Sequence, residues 1–259
     1  MRIARIAQPD GFAFVAVNGD GTDPAGLTAA EISGNQVADP AFTGKTWPLP
    51  DVRLLAPILP SKVVCVGKNY ADHAKEMGGE APADPVIFLK PSTSIIGPNV
   101  PIELPPSSSR VDYEGELAVV IGVACRDVPA EKAHSVVLGY TIANDVTARD
   151  QQAADVQWTR AKGYDTFCPL GPWIETALDA SDLALRTELD GEVRQNSRTS
   201  LLLHDVGAII EWITRVMTLR PGDVILTGTP AGVGPMTAGQ TVSVTIEGIG
   251  TLANPVVTR

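Results

Sequence analysis

The apolar residues of this chain fall in short runs closed by Gly, Pro or charged turns. KVVCVG (62–67), VIFL (86–89), VDYEGELAVVIG (111–122), YTIAN (140–144), DVILTG (223–228) and TVSVTIEGIG (241–250) set the pattern. Runs of this kind, rich in β-branched side chains, suit strands: such side chains fit a pleated surface, and the flanking Gly and Pro interrupt helical continuity. Helical spacing shows in NYADHAKEMGG (69–79), with its Gly78-Gly79 stop. It shows again in SLLLHDVGAIIEWITRVMT (200–218), where Leu203, Val206, Ile210, Ile213 and Met217 share one face. The chain is therefore expected to be α+β and mostly β, with aliphatic side chains filling a core for which only 5% of residues are aromatic.

Residues 1–46 alternate apolar stretches with Gly and Asp turns, as in FAFVAVNGDG, and predict a strand-rich module with a short helix near LTAAEIS (27–33). The proline-marked stretch from Trp47 to Lys62 reads as a boundary, because proline blocks both helix interiors and central strand pairing. A small N-terminal domain over 1–56 and a larger one over 57–259 are expected. A net charge of −10 without a Lys/Arg run argues against nucleic-acid or anionic-membrane partners. Cys65, Cys125 and Cys168 are widely separated and odd in number, which reads as reduced thiols. With no apolar run of the roughly 18 residues that a spanning helix needs, the expected location is the cytoplasm.

The chemistry concentrates at DYEGEL. Residues two apart on a strand point to the same face, so Glu114 and Glu116 project side by side at the head of an apolar run. Two such carboxylates repel unless a cation lies between them, and free charge beside a core is costly. Asp145, where the YTIAN run ends, offers a third oxygen. Carboxylates without nearby His or Cys suit a hard cation, Mg2+ or Mn2+. The competing reading makes the two glutamates a solvated strand edge and Asp145 the start of a turn. His73 and Glu76, three apart in the first helical stretch, share a face, where a carboxylate orients an imidazole as a general base requires.

The set GKNYADHAKEM, FLKP, DYEGELAVVIG, NDVTARDQQ, RAKGYDTFCPLGPW and LTGTPAGVGP, in this order over residues 60–256, resembles the fumarylacetoacetate hydrolase family. The closest likeness is to its short bacterial and mitochondrial members, which act as acylpyruvate hydrolases, oxaloacetate decarboxylases or 2-hydroxyhepta-2,4-diene-1,7-dioate isomerases. Residues 1–56, with motifs such as FTGKTWPLPDVRLLAP (42–57), resemble actinobacterial members in particular. The resemblance implies a mixed β-roll, a homodimer, and Mg2+ or Mn2+ held by Glu114, Glu116 and Asp145. It implies a small keto-acid substrate, and a lid carrying His73 and Glu76. It further implies that Lys162 meets the substrate's oxyanion or carboxylate, and that Gln152 holds substrate or water.

Three further residues keep two readings each. Arg149 either binds substrate or pairs structurally with a carboxylate. Lys90, following an apolar strand, either points inward to substrate or snorkels outward. Thr229, in the glycine-rich loop 226–235, either binds a substrate carboxylate with the loop N–H groups or sits in a plain turn. That loop lacks the Lys-Ser/Thr ending of a nucleotide-binding loop. His134 and His204 are read as structural, and Cys168 has no local base to make it a nucleophile. The expected reaction is C–C bond hydrolysis of an acylpyruvate, with oxaloacetate decarboxylation and diene-dioate isomerisation as alternatives. A non-catalytic metal- or dicarboxylate-binding protein is the alternative from a different class.

Overall fold

The computed structural model describes residues 1–35 and 39–259. A 12-stranded sheet dominates it. Its main path runs Asp39–Pro48, Thr28–Asn35, Gly11–Asn18, Arg2–Gln8, Cys168–Glu175, Val137–Asn144, Gly115–Ile121, Val224–Leu226, Val63–Gly67 and Val86–Lys90. A five-stranded sheet, ordered Glu192–Arg198, Ala184–Leu189, Thr241–Ile246, Gly250–Thr258, Ile102–Leu104, packs on one face. Leu117, Ile142 and Trp173 of the large sheet meet Leu185, Val244 and Leu252 of the smaller one in a buried cluster. The other face of the large sheet closes over Cys65, Ala118, Val120, Ala143, Leu170 and Leu226. This two-faced burial explains why the strands after residue 62 read as nearly continuous apolar runs rather than as alternation. The molecule is a mostly β, α+β roll, as expected, with an additional N-terminal unit.

The N-terminal strands extend the large sheet, with Arg2 and Ile3 pairing to Glu175 and Ile174. Their Ala4, Ile6, Val15 and Val17 enter the same core cluster as Leu117 and Trp173. The short helix expected near LTAAEIS is corrected: Thr28–Asn35 is a strand, paired to Gly11–Asn18 on one side and Asp39–Pro48 on the other. Pairing on both sides over residues 28–32 gives that segment a ladder, whereas one isolated helical turn would leave most of its donors and acceptors unpaired.

Four α-helices are described: α1 (Ala71–Glu76), α2 (Arg149–Ala154), α3 (Thr159–Lys162) and α4 (Val206–Val216). α4 begins where Asp205 accepts from the Ala208 N–H at 2.8 Å, an N-cap that satisfies one orphan donor. Its Ile209, Ile210 and Ile213 pack against Val64, Val119 and Ile225 of the large sheet. Leu203, expected on the same face, lies before the cap and is exposed. Among the described residues no helix is long and apolar enough to cross a membrane.

Candidate metal centre and its cavity

Antiparallel pairing of Gly115–Ile121 with Val137–Asn144 sets Gly115 opposite Asn144 and Glu116 opposite Ala143. Asp145, the next residue, thereby reaches Glu114 and Glu116. The strand expected over 111–122 is in fact interrupted at Glu114, between Val111–Tyr113 and Gly115–Ile121. The interruption is held by hydrogen bonds. Asn144 Oδ1 accepts from the Glu114 N–H at 2.9 Å, and Glu114 O accepts from the Asp145 N–H at 2.8 Å. Gly115 is required between the two glutamates, since a Cβ there would lie 2.2 Å from Thr187 Oγ1 of the second sheet.

Each of Glu114, Glu116 and Asp145 is buried, and one oxygen from each falls within 4.8 Å of the others. Lys162 Nζ lies 2.8 Å from Glu114 Oε2 and 2.7 Å from Asp145 Oδ2. Burial alone would lower the Lys162 pKa, but Asp145 and Glu114 outweigh it and hold the ammonium charged. Burial would likewise raise Glu114, yet Lys162 and Arg149 keep its carboxyl well below the usual carboxylate range. Glu116 differs. Among the described residues no Lys or Arg side chain stands within ion-pair distance of it, and its one hydrogen bond comes from the Gly228 N–H at 2.6 Å. Burial, then Asp145 and Glu114, push its carboxyl well above the usual range. Three hard oxygen donors, one of them uncompensated, are a donor set that fits a divalent cation. The residues present thus suit Mg2+ or Mn2+.

These carboxylates form the floor of a cavity of about 320 Å³. His73 of α1, Met77 just beyond it, Phe88, Arg149, Gln152, Trp158, Lys162, Thr229 and Lys68 also line it. His73 Nδ1 is 3.1 Å from Glu76 Oε2, the helical pairing read from the three-residue spacing. Glu76 Oε1 also accepts from the Gly232 N–H at 3.0 Å, tying α1 to the 226–235 loop. Arg149 pairs structurally with carboxylates. It reaches Asp112 Oδ2 at 3.0 Å, Glu114 Oε1 at 2.6 Å and Gln152 Oε1 at 2.6 Å, and still lines the cavity.

Two residues expected to contact substrate have partners within the chain. Lys90 does point inward, but its Nζ binds Asp145 Oδ1 at 2.6 Å and Val146 O at 3.1 Å, and it is not among the cavity-lining residues. It supports Asp145 rather than touching the cavity. The Thr229 hydroxyl is spent internally, donating to Gly115 O at 2.9 Å and accepting from Gln195 Nε2 at 2.8 Å. Cys168 is buried and its thiol is pushed up to about 12 by burial, which rules it out as a ready nucleophile.

Four supporting residues escaped the sequence reading. Asp112, buried between Arg110 and Arg149, orients the latter. Asn144 fixes the Glu114 backbone. Gln195 accepts from Gly115 N–H at 3.0 Å while holding Thr229 and Pro230, and the sole hint of it is a buried polar position in an otherwise exposed strand. Asn69 donates to Thr227 O and His204 O and accepts from His204 N–H, anchoring the chain just ahead of α1.

Lys68 is held at φ 57°, a left-handed conformation that costs an L-residue roughly 1–2 kcal/mol.

Comparison with known proteins agrees with this architecture. Residues 62–257 match the family described as Fumarylacetoacetate (FAA) hydrolase C-terminal, and residues 1–57 match the Rv2993c-like N-terminal family. Protein Rv2993c of Mycobacterium tuberculosis is 66% identical over 100% of this chain and 99% of its own. The mitochondrial oxaloacetate decarboxylase of Dictyostelium discoideum is 45% identical over 73% of this chain and 90% of its own. Among solved structures, 2-hydroxyhepta-2,4-diene-1,7-dioate isomerase from Mycobacterium marinum superposes with a TM-score of 0.94 at 64% identity, covering 100% of this chain and 99% of the other. Fumarylpyruvate hydrolase from Pseudomonas aeruginosa, solved with Mn2+ and pyruvate, gives a TM-score of 0.74 at 32% identity, covering 80% and 92%. The roll, the buried carboxylate cluster and these matches lead to one conclusion: this chain belongs to the fumarylacetoacetate hydrolase family.

Proposed function

We propose that this chain is a Mg2+- or Mn2+-dependent enzyme that cleaves a C–C bond of a small 2-oxo or β-diketo acid, in the manner of an acylpyruvate hydrolase. The observation that carries this reading is three buried carboxylates converging within 4.8 Å, with a His–Glu pair lining the same cavity. Glu114, Glu116 and Asp145 would hold the cation. When bound, it supplies Lewis acidity and a chelation point for the carboxylate and 2-oxo oxygens of a keto acid.

The chain's own groups account for the rest. With Nδ1 directed at Glu76, the His73 ring presents Nε2 for a proton from water attacking the distal carbonyl. The Glu76 carboxylate favours the imidazolium formed when that proton arrives. Lys162 stabilises negative charge developing on the fragment that leaves as the C–C bond breaks. Arg149, fixed by Asp112, and Gln152, fixed in turn by Arg149, orient substrate or water. Phe88 and Trp158, edge to face at 5.2 Å, shield the wall of the cavity from solvent.

Oxaloacetate decarboxylation and diene-dioate isomerisation form the second reading, favoured by the names of the Dictyostelium relative and the Mycobacterium marinum structure. Neither needs an attacking water. We further propose that the protein works as a homodimer. The test is a panel of acetylpyruvate, fumarylpyruvate and oxaloacetate, followed by ultraviolet absorbance with Mn2+ and again with chelator. Metal-dependent loss of an acylpyruvate supports hydrolysis. Loss of oxaloacetate alone selects decarboxylation, and no loss of any of the three, nor of a 2-hydroxy-2,4-diene-dioate added as a fourth substrate, favours a non-catalytic binding protein.

A further inference from the structure

We propose that Lys68 is the specificity-determining residue of the cavity, selecting substrates that carry a second carboxylate at the end remote from the 2-oxo group. This inference rests on the keto-acid reading of the site and names the residue that would narrow it to diacids.

The cations around the cavity are not equivalent. Lys162 is committed to Glu114 and Asp145, Arg149 to Asp112 and Glu114, and Lys90 lies behind Asp145. Lys68 also lines the cavity, yet among the described residues its ammonium has no carboxylate within ion-pair distance and no hydrogen-bond acceptor. A half-buried cation without an anion, in a cavity whose other cations are all matched, is a surplus positive charge that a ligand can meet.

Its placement fits that use. Lys68 directly follows the strand Val63–Gly67, and its left-handed backbone turns the side chain out of the strand's alternation. Asn69, anchored to Thr227 and His204, holds the chain immediately beyond it. Conformational strain of this sort persists only where the surroundings over-determine it, and it gathers at ligand-clamping positions. The ammonium reaches across to the end of α1, where it lies 3.2 Å from the point a Cβ on Gly79 would occupy. It therefore stands beside the α1 wall of the cavity. Met77, Phe88 and Trp158 line the same cavity as Lys68 and the three carboxylates, an apolar surface suited to the carbon chain joining two acidic ends. A bare monoacid would leave that surface and Lys68 unused.

The same observations admit a purely structural role, in which Lys68 steadies the end of α1, and the experiment separates the two. Isothermal titration on the Mn2+-loaded full chain compares 2-oxoadipate with 2-oxohexanoate, and 2-oxoglutarate with 2-oxopentanoate. Each pair has equal chain length and differs by one distal carboxylate. The wild type should bind at least one diacid about tenfold more tightly than its matched monoacid. Lys68→Asn, which tolerates the left-handed backbone while removing the charge, should abolish that ratio, and Lys68→Arg should restore most of it. Absence of a diacid preference in the wild type would overturn the proposal. So would a ratio unchanged in Lys68→Asn, whether both affinities fall together or neither moves. Binding needs no C–C cleavage, so failure of hydrolysis would sink the proposed reaction and still leave this result readable.

Discussion

Two buried carboxylates in this molecule meet opposite treatment. Asp223, fully buried beside the start of the strand Val224–Leu226, accepts from Ser61 Oγ, from the Lys62 and Arg220 N–H groups and from the Lys62 ammonium. Burial would raise its pKa, but Lys62, Ser61 and the Arg220 N–H prevail, and the carboxyl is held below its usual value. Glu116 is equally buried and has one backbone donor, two neighbouring carboxylates and no side-chain cation of its own. The contrast distinguishes a charge that serves the fold from a charge that the fold tolerates for the sake of chemistry. The first is satisfied within the chain, and the second is left in need of an external cation.

That distinction can be broken at either end. The largest effect is expected for Glu116→Gln, which should weaken Mg2+ or Mn2+ binding by more than about 100-fold, since even outer partners of metal ligands cost 10- to 100-fold. Metal-dependent activity should vanish with it, and calorimetry showing unaltered affinity would end the ligand assignment. His73→Ala should retain metal binding and lose roughly 100- to 10,000-fold in acylpyruvate hydrolysis, the usual worth of a general base. Decarboxylation should suffer less, and equal loss of both activities would remove His73 from the water-activating role.

Asp223→Asn should leave metal affinity intact and lower unfolding stability by about 2–3 kcal/mol, through loss of charge-assisted hydrogen bonds that are mostly shielded from water. Because its folded pKa is depressed, that stabilisation is present above the unfolded value near 4 and disappears as pH falls through the folded value. Urea titrations should show the gap between wild type and Asp223→Asn closing below about pH 4, and a gap that widens in acid would reverse the assignment. The smallest effect has the opposite sign: metal-free Glu116→Gln should be more stable than the metal-free wild type by about 1 kcal/mol, as the cost of burying an ionisable carboxyl beside two others is removed. A drop in its melting temperature would place Glu116 with Asp223 on the structural side.

Much of this was legible in the residue pattern. Strand periodicity and donor chemistry left Glu114, Glu116 and Asp145 between a metal site and a solvated edge, and the family resemblance pointed to the first, while helical spacing alone paired His73 with Glu76. The helical rule is local and holds, whereas the strand breaks at Glu114 and Asp145 arrives from a neighbouring strand. Lys90 and Thr229 were legible as inward-facing but not in their partners, because which carboxylate or carbonyl they meet depends on strands far away in sequence. Gln195 and Asn69 were invisible for the same reason, each bridging segments more than 30 residues apart. The helix expected at LTAAEIS failed where Ala and Glu favour helix locally and two flanking strands offer a hydrogen-bond ladder instead. The prolines from Trp47 to Lys62 gave no sign that Ala4 and Ile6 continue the core around Leu117.

The divided carboxylate of Glu76 carries a consequence for timing. One oxygen orients the His73 imidazole, and the other accepts from the Gly232 N–H, in the loop whose Gly228 N–H meets Glu116. Any outward swing of α1 that breaks the bond to Gly232 also loosens the side chain that aligns the base. In the proposed mechanism, shutting the cavity and arming the imidazole are thus one event, and water activation is weakest while the mouth stands open to bulk solvent.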